Sequence, residues 1–446
     1  MRTVGAVSLI ITTMATTSSS FTFPSDTVSW GIIGVGDVCE VKSGPGFYKA
    51  TGSSLAAVMR RTSDLAADFA SRHGVASSYD TVDGLLGDET VNAVYIASPV
   101  GSHLEHALAA CKAGKPTLLE KPMGRCAEEA RLIVDAFKAA NVPLWSAYYR
   151  RAHPAPQRVR HMIAAGELGK ILWVQYDLSF EVSTDVERFV AAVAAADGGG
   201  GGGGGGGDDD TAPSLPWRLS PSASGGGLVM DVGSHVVDLL DMLLGPLAVD
   251  ASSSAASRSA AYGDVPTEDL VVMDFTCGCV GGGQQPARGQ CRWDFAQPKG
   301  RGRKELLRIV GSERTVTFRP LASDGITVET TGERGTAATQ WIPLPPSQHV
   351  HQNLIQSIVN ELLATRQSGE GRAVAATPAT AEGLGLLGLE RCPSTGETGA
   401  RANDHLDAVL STFYGPRSIG FWDLESPQGT GAGTGVAVGP VSSTGF

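Results

Sequence analysis

One stretch constrains this chain more than any other: Val28 to Val41, VSWGIIGVGDVCEV. A short apolar run, Val28 to Ile33, meets Gly34-Val35-Gly36, and a polar, helix-compatible segment follows. That is the order of first strand, tight glycine turn and first helix in a dinucleotide-binding unit. Gly34 permits a turn that a Cβ would hinder, and Gly36 lets the backbone approach a pyrophosphate. The helix that opens at Asp37 offers unpaired N–H groups and a partial positive charge to the phosphates. Cys39 stands where a third Gly or Ala is usual and is small enough for close helix–strand packing.

Strand and helix alternate after this turn. Leu55 to Met59, Val91 to Ala97, Pro116 to Leu119 and Val142 to Ala147 read as strands. Asp64 to His73, Val82 to Leu86, His103 to Ala113 and Ala127 to Ala140 read as helices. Short connections between them predict a doubly wound parallel sheet over 28–150. Arg150-Arg151-Ala152-His153-Pro154 marks the change to a second domain over 151–422. It opens with a helix, Gln157 to Ala165, and an alternating strand, Ile171 to Phe180. Asp269 to Cys277, Cys291 to Phe295, Glu305 to Val310, Thr315 to Phe318 and Gly325 to Thr330 then read as successive antiparallel strands, and His351 to Thr365 and Asn403 to Tyr414 as helices. The whole is an α/β chain: a Rossmann domain followed by an α+β domain on a mostly antiparallel sheet.

Three stretches lie where an open parallel sheet binds ligands, at strand carboxyl ends. After Met59 come Arg60 and Arg61, where an NAD site usually carries Asp or Glu; a guanidinium pair favours the 2′-phosphate of NADP, with NAD the alternative. Ala97-Ser98-Pro99-Val100-Gly101-Ser102-His103 follows another strand. Glu120-Lys121-Pro122 follows a third, and an ammonium there can hydrogen-bond a substrate oxygen and help move its proton. Pro122 restricts the backbone of Lys121, and the bond between them can be cis.

These motifs in this order resemble the glucose–fructose oxidoreductase / inositol dehydrogenase family, Gfo/Idh/MocA. Gly225-Gly226-Gly227-Leu228-Val229-Met230-Asp231-Val232-Gly233-Ser234-His235-Val236-Val237-Asp238 is similar to that family's second hallmark, and Trp217-Arg218 to a pairing in its sugar-reducing members. The resemblance runs from about Val28 to Tyr414. It implies an NAD(P)-dependent oxidoreductase acting on sugars, polyols or related alcohols and ketones, assembled as a homodimer or homotetramer through the large sheet. It implies Lys121 and His235 as catalytic residues with Asp231 beside them, and Gly34 and Gly36 as the phosphate-loop glycines. Cofactor or active-site contacts are implied for Arg60, Arg61, His103, Glu120, Trp217 and Arg218, and Asp37, Ser98 and Pro99 fall in the same loops. A non-catalytic protein that senses NAD(P) or a sugar uses the same fold, so that alternative stays open.

Read from its residues alone, Leu228 to Leu244 has the apolar spacing of a buried helix, with Asp231 and His235 four apart on one face. A carboxylate beside an imidazole raises its basicity and orients it. The other reading is a helix cap and a satisfied core histidine.

A formal charge of −11 without a Lys/Arg-rich block argues against nucleic-acid binding. Val4 to Met14 is too short to span a bilayer, and no later segment does better. Residues 1–27 read as a weak targeting segment or a disordered extension, which leaves a cytoplasmic or organellar location. His349 and His351 lack ligand spacing, so no metal is expected. The glycine tract near 197–210 reads as a disordered insertion, Gly281 to Gly283 as a loop insertion, Gly369 to Leu389 as a Gly/Ala-rich insertion, and 423–446 as a disordered tail.

Overall fold

Strands form where Val, Ile and Leu cluster between glycine turns, and their burial decides which strands become neighbours. The computed structural model describes residues 21–197, 215–278, 286–322, 324–331, 337–367, 389 and 391–423. Most of residues 1–27, and all of the three insertions and the tail save Asp197, Leu389 and Asp423, lie outside that set. Phe21 to Thr27 do not: Phe23 is fully buried, and its N–H donates to Thr365 Oγ1 at 3.3 Å.

Six strands make the first sheet: β1 (Val28–Ile33), β2 (Ser53–Met59), β3 (Ser77–Tyr79), β4 (Ala93–Ile96), β5 (Thr117–Leu119) and β6 (Leu144–Ser146). All pair in parallel, in the order β3-β2-β1-β4-β5-β6. The order reverses between β1 and β4, so a crevice opens at their carboxyl ends. Buried Ile32, Ile33, Val94 and Ile96 supply the two-sided apolar character that a covered parallel sheet requires.

The second sheet holds β7 (Ile171–Glu181), β8 (Leu247–Val249), β9 (Ala255–Ser257), β10 (Leu270–Cys277), β11 (Ala287–Gln297), β12 (Lys304–Gly311), β13 (Arg314–Phe318), β14 (Gly325–Thr331) and β15 (Ala337–Pro343). Its order is β15-β14-β13-β12-β7-β11-β10-β8, with β9 also on β10. The expected antiparallel succession fails at one place: β7 lies between β11 and β12 and pairs in parallel with β11. Alternation along β7 specifies a strand with Val174, Tyr176 and Leu178 inward, but not its partners; long-range burial chooses those. The helices Pro154–Ala164, Ser234–Leu244 and Gly396–Tyr414 share one core with the inward face. Leu172, Trp173, Leu306 and Trp341 remain exposed.

The helix Gln352–Gln367 falls in the range expected for the second domain yet packs Leu354, Ile355 and Ile358 against Trp30, Phe47 and Tyr95 of the first. The last helix begins at Gly396 rather than Asn403, capped by Thr395 Oγ1, which accepts from the Thr398 N–H at 3.3 Å. No helix among the described residues is long and apolar enough to cross a membrane.

A buried cation locks the chain leaving β6 to the helix Ser234–Leu244. Arg151, 3% exposed, donates from Nε to both Asp238 oxygens at 2.8 and 2.9 Å and lies 3.2 Å from Asp241. Asp241 also binds Arg401 at 2.7 Å. Removing one member of such a group strands buried charge, so Arg151→Met is expected to cost about 3–5 kcal/mol. Urea unfolding measures it, and a loss no larger than that of an exposed pair, below about 1 kcal/mol, would show the lock to be dispensable.

Candidate active site

The first glycine turn is built as a phosphate approach requires. Gly34 has φ +90°, and a Cβ there would stand 2.8 Å from the Ser98 backbone nitrogen, so the β1 and β4 loops touch only because residue 34 lacks one. A Cβ at Gly36 would meet nothing within 4 Å, which leaves the space above the turn open. Cys39 is fully buried in the place of the third glycine. Asp37 is exposed at the start of the helix Asp37–Val41. That helix is stapled from behind: Arg72 donates to both Glu40 oxygens at 2.8 and 2.7 Å, and His73 Nε2 lies 2.9 Å from Glu40.

Arg60 and Arg61 follow β2, half-buried and exposed respectively, and among the described residues no side-chain hydrogen bond or ion pair engages either guanidinium. The turn with its open space fits the pyrophosphate of a dinucleotide.

The β4 loop corrects one expectation. His103 is fully buried, with Nδ1 3.0 Å from the Pro122 carbonyl oxygen and Nε2 2.9 Å from that of Ser98. It ties the β4 loop to the β5 loop and presents no atom to a ligand. Ser98 Oγ meets His106 Nδ1 at 2.9 Å, and Pro99 is exposed.

The β5 loop carries the chemistry. The Lys121–Pro122 bond is cis. Lys121 Nζ donates to Asp231 Oδ1 at 2.6 Å and to the Asp231 carbonyl oxygen at 2.9 Å. An ammonium has three N–H groups, so one is left for a further acceptor. Burial opposes ionisation of Asp231, but Lys121 and then Arg218 outweigh it and hold the carboxyl below the usual carboxylate range. Arg218 Nε lies 3.2 Å from Asp231 Oδ2, and its guanidinium sits 4.6 Å over the Trp217 ring.

Asp231 therefore does not serve His235, as four-residue spacing on one α-helical face suggested. Val229–Gly233 forms a π-helical turn ahead of the α-helix Ser234–Leu244, which changes the angular offset between the two side chains. His235 is 7% exposed, and its Nδ1 is buried without a partner. Burial, then the nearby Lys121 and Arg150, push its pKa well below the ordinary value, the reverse of the expected rise in basicity. The glycines ahead of the turn are needed for contact: Gly227 donates its N–H to buried Glu268 at 3.0 Å, and a Cβ there would lie 2.8 Å from the Glu268 carbonyl oxygen.

Sequence reasoning missed the surroundings of Glu120. Its Oε1 accepts from Tyr95 OH at 2.5 Å and lies 3.1 Å from His351 Nε2; its Oε2 accepts the Lys121 backbone N–H at 3.0 Å. Tyr95 reads as one more apolar strand residue, and His351 lies 231 positions from Glu120, so no local pattern announces either. Tyr149 stands between His235 and His351, with ring centroids 5.2 and 4.3 Å away. His349 is occupied elsewhere, by Lys49 Nζ at 2.7 Å and the Val41 carbonyl oxygen at 3.0 Å.

Comparison with known proteins identifies the family and the fold. Residues 28–148 match the model of an oxidoreductase family with an NAD-binding Rossmann fold, and residues 157–317 match the GFO/IDH/MocA C-terminal domain. Oxidoreductase P35 of Formosa agariphila is 36% identical over 243 residues, 54% of this chain and 68% of that protein. The 1,5-anhydro-D-fructose reductase of Ensifer adhaerens is 29% identical over 243 residues, 54% of this chain and 64% of that protein. D-xylose 1-dehydrogenase (NADP(+)) 2 of Haloferax volcanii is 30% identical over 216 residues, 48% and 57% respectively. The solved structure of levoglucosan dehydrogenase with NADH and L-sorbose superimposes with a TM-score of 0.63 at 20% identity, covering 87% of this chain and 97% of that one.

The staple behind the glycine turn gives a pH-dependent expectation. The Arg72 hydrogen bond lowers the Glu40 pKa from 4.5 to about 2. A depressed carboxylate contributes stability above its unfolded pKa and loses it as pH falls toward the folded value. Glu40→Gln is therefore expected to lower the melting temperature slightly at neutral pH. The gap from wild type should close as pH falls from 4.5 to about 2. A gap that stays constant across that window would rule out the ion pair as its source.

Proposed function

The chain belongs to the Gfo/Idh/MocA family of NAD-binding oxidoreductases, and on that footing we propose that it oxidises or reduces a sugar or polyol at one carbinol carbon, a bound NADP supplying or taking the hydride. Gly34, Gly36 and the helix start at Asp37 would hold the pyrophosphate, and Arg60 and Arg61 the 2′-phosphate. Names of relatives that act on D-xylose and 1,5-anhydro-D-fructose support the substrate class.

The observation that carries the reading is the Lys121–Asp231 pair at the mouth of the sheet. Asp231 fixes the ammonium, and the third N–H is free for the substrate oxygen. Lys121 then gives its proton to a carbonyl oxygen as that carbon is reduced, and polarises the same oxygen beforehand. Microscopic reversibility returns that proton to Lys121 in the oxidising direction, while His235, uncharged because it is buried among cations, hydrogen-bonds the same oxygen. Asp231 thus positions the donor, rather than the imidazole.

The experiment is a panel of D-xylose, levoglucosan and 1,5-anhydro-D-fructose with NADP+, NADPH, NAD+ and NADH. Lys121→Met should lower kcat on a turned-over sugar by about 10²–10⁴-fold, the usual scale for general acid–base catalysis. Fluorescence titration should show tighter binding of NADPH than of NADH, and Arg60→Ala/Arg61→Ala should erase the difference. Unchanged kcat in Lys121→Met would sink the mechanism, and equal affinities in wild type the NADP assignment.

The outward face of the large sheet, with Trp173, Leu306 and Trp341 exposed, suits a second copy of this chain. Light scattering should give at least a dimer in wild type and a monomer in Leu306→Asp/Trp341→Asp. A wild-type monomer at micromolar concentration would remove the proposal.

A further inference from the structure

The chemistry above leaves buried His351 unused. His351 is 2% exposed and immediately precedes the helix Gln352–Gln367. Its Nε2 lies 3.1 Å from Glu120 Oε1, and its Nδ1 is buried with no partner. A ring nitrogen facing a carboxylate carries the proton, so Nε2–H donates to Glu120. The contacts therefore place a proton on Nε2.

The groups around this contact are few. The Tyr149 ring packs on His351 at 4.3 Å, and the Tyr95 ring stands 6.5 Å away, its hydroxyl on the same Glu120 oxygen. Lys121 acts on Glu120, Glu120 acts on Cys39, and His153 and His235 are near enough to His351 to interact electrostatically. Glu120 is 13% exposed, and a carboxylate this enclosed stays ionised through its hydrogen bonds. Two of these, from Tyr95 and His351, fall on Oε1. Oε2 takes the backbone N–H of Lys121, the residue whose ammonium reaches Asp231.

We propose that His351 is a positioning residue for Lys121: its Nε2–H holds the Glu120 carboxylate, and Glu120 fixes the backbone from which the Lys121 ammonium reaches Asp231 and the reacting oxygen. This rests on the reading of Lys121 as proton donor. It also gives the helix Gln352–Gln367 a purpose beyond packing, since its docking on the first domain brings the imidazole to the β5 loop.

Two substitutions separate positioning from packing. His351→Gln keeps an N–H for Glu120, and His351→Met fills the site without one. With both variants folded by thermal melt and binding NADPH as wild type does, His351→Met should lower kcat roughly tenfold, the scale of one hydrogen bond to a charged group. KM for the sugar should move little, and His351→Gln should restore most of kcat. The acid limb of kcat should move to higher pH in His351→Met, because a Glu120 short of a donor takes a proton more readily, and should stay in place in His351→Gln. In a Glu120→Gln background His351→Met should add no further loss. Equal losses in the Met and Gln variants, or losses that multiply with Glu120→Gln, overturn the proposal.

A second measurement needs no turnover. Nitrogen-15 NMR of the histidine side chains should show a proton on His351 Nε2, and that resonance should shift in Glu120→Gln. An Nδ1–H tautomer, or no shift, overturns the proposal. An active Lys121→Met enzyme with the NMR result intact would instead defeat the proton-donor reading while the His351–Glu120 contact stood.

Discussion

The guanidinium of Arg151 is the constraint on which the rest of the site depends. It sits where the chain leaves the parallel sheet, and it is buried against Asp238 and Asp241 on the helix that also carries His235. A buried cation in low dielectric tolerates only a narrow geometry, because every lost hydrogen bond leaves uncompensated charge. The helix cannot rotate or slide without breaking those bonds. Its N-terminal π turn, with Asp231, is thereby held at the mouth of the first sheet, opposite Lys121.

Charge is divided with equal strictness inside the cleft. Lys121 has the Asp231 carboxylate 2.6 Å away; His235 has cations for neighbours, an unpartnered Nδ1 and deep burial, which favour its neutral form. Glu120 stays ionised because its neighbours all donate. In the proposed alcohol–carbonyl conversion the lysine carries the proton and the imidazole orients the reacting oxygen. The same partition explains the place of Arg218, which takes the second oxygen of Asp231 and leaves the first to the lysine.

The parallel sheet has its own logic. Its strand order reverses between β1 and β4, and Gly34 lets the loops after those strands meet without a side chain between them. Arg60 and Arg61 follow β2, one strand over on the same sheet edge. The loop after β5 completes the set. Nothing in the second domain supplies the dinucleotide loops; it supplies Asp231, Arg218, His235 and, through a helix that returns to the first domain, His351.

What the sequence by itself determined is local and periodic. Glycine at 34 and 36, the strand runs between short helices, the Glu120-Lys121-Pro122 turn and the apolar helix with Asp231 and His235 can all be read in order, because backbone sterics and hydrophobic period act over a few residues. Tertiary structure decided the partners. The four-residue spacing of Asp231 and His235 suggested a pair, but the π turn and the reach of Lys121 from another domain gave the carboxylate to the ammonium. His103 has the setting of a ligand contact and became a fastener between loops. The insertion of β7 between β11 and β12, the return of the helix Gln352–Gln367 and the meeting of His351 with Glu120 join residues far apart in the chain. Such contacts are chosen by burial and by the need to satisfy buried charge, and neither quantity exists until the chain is packed.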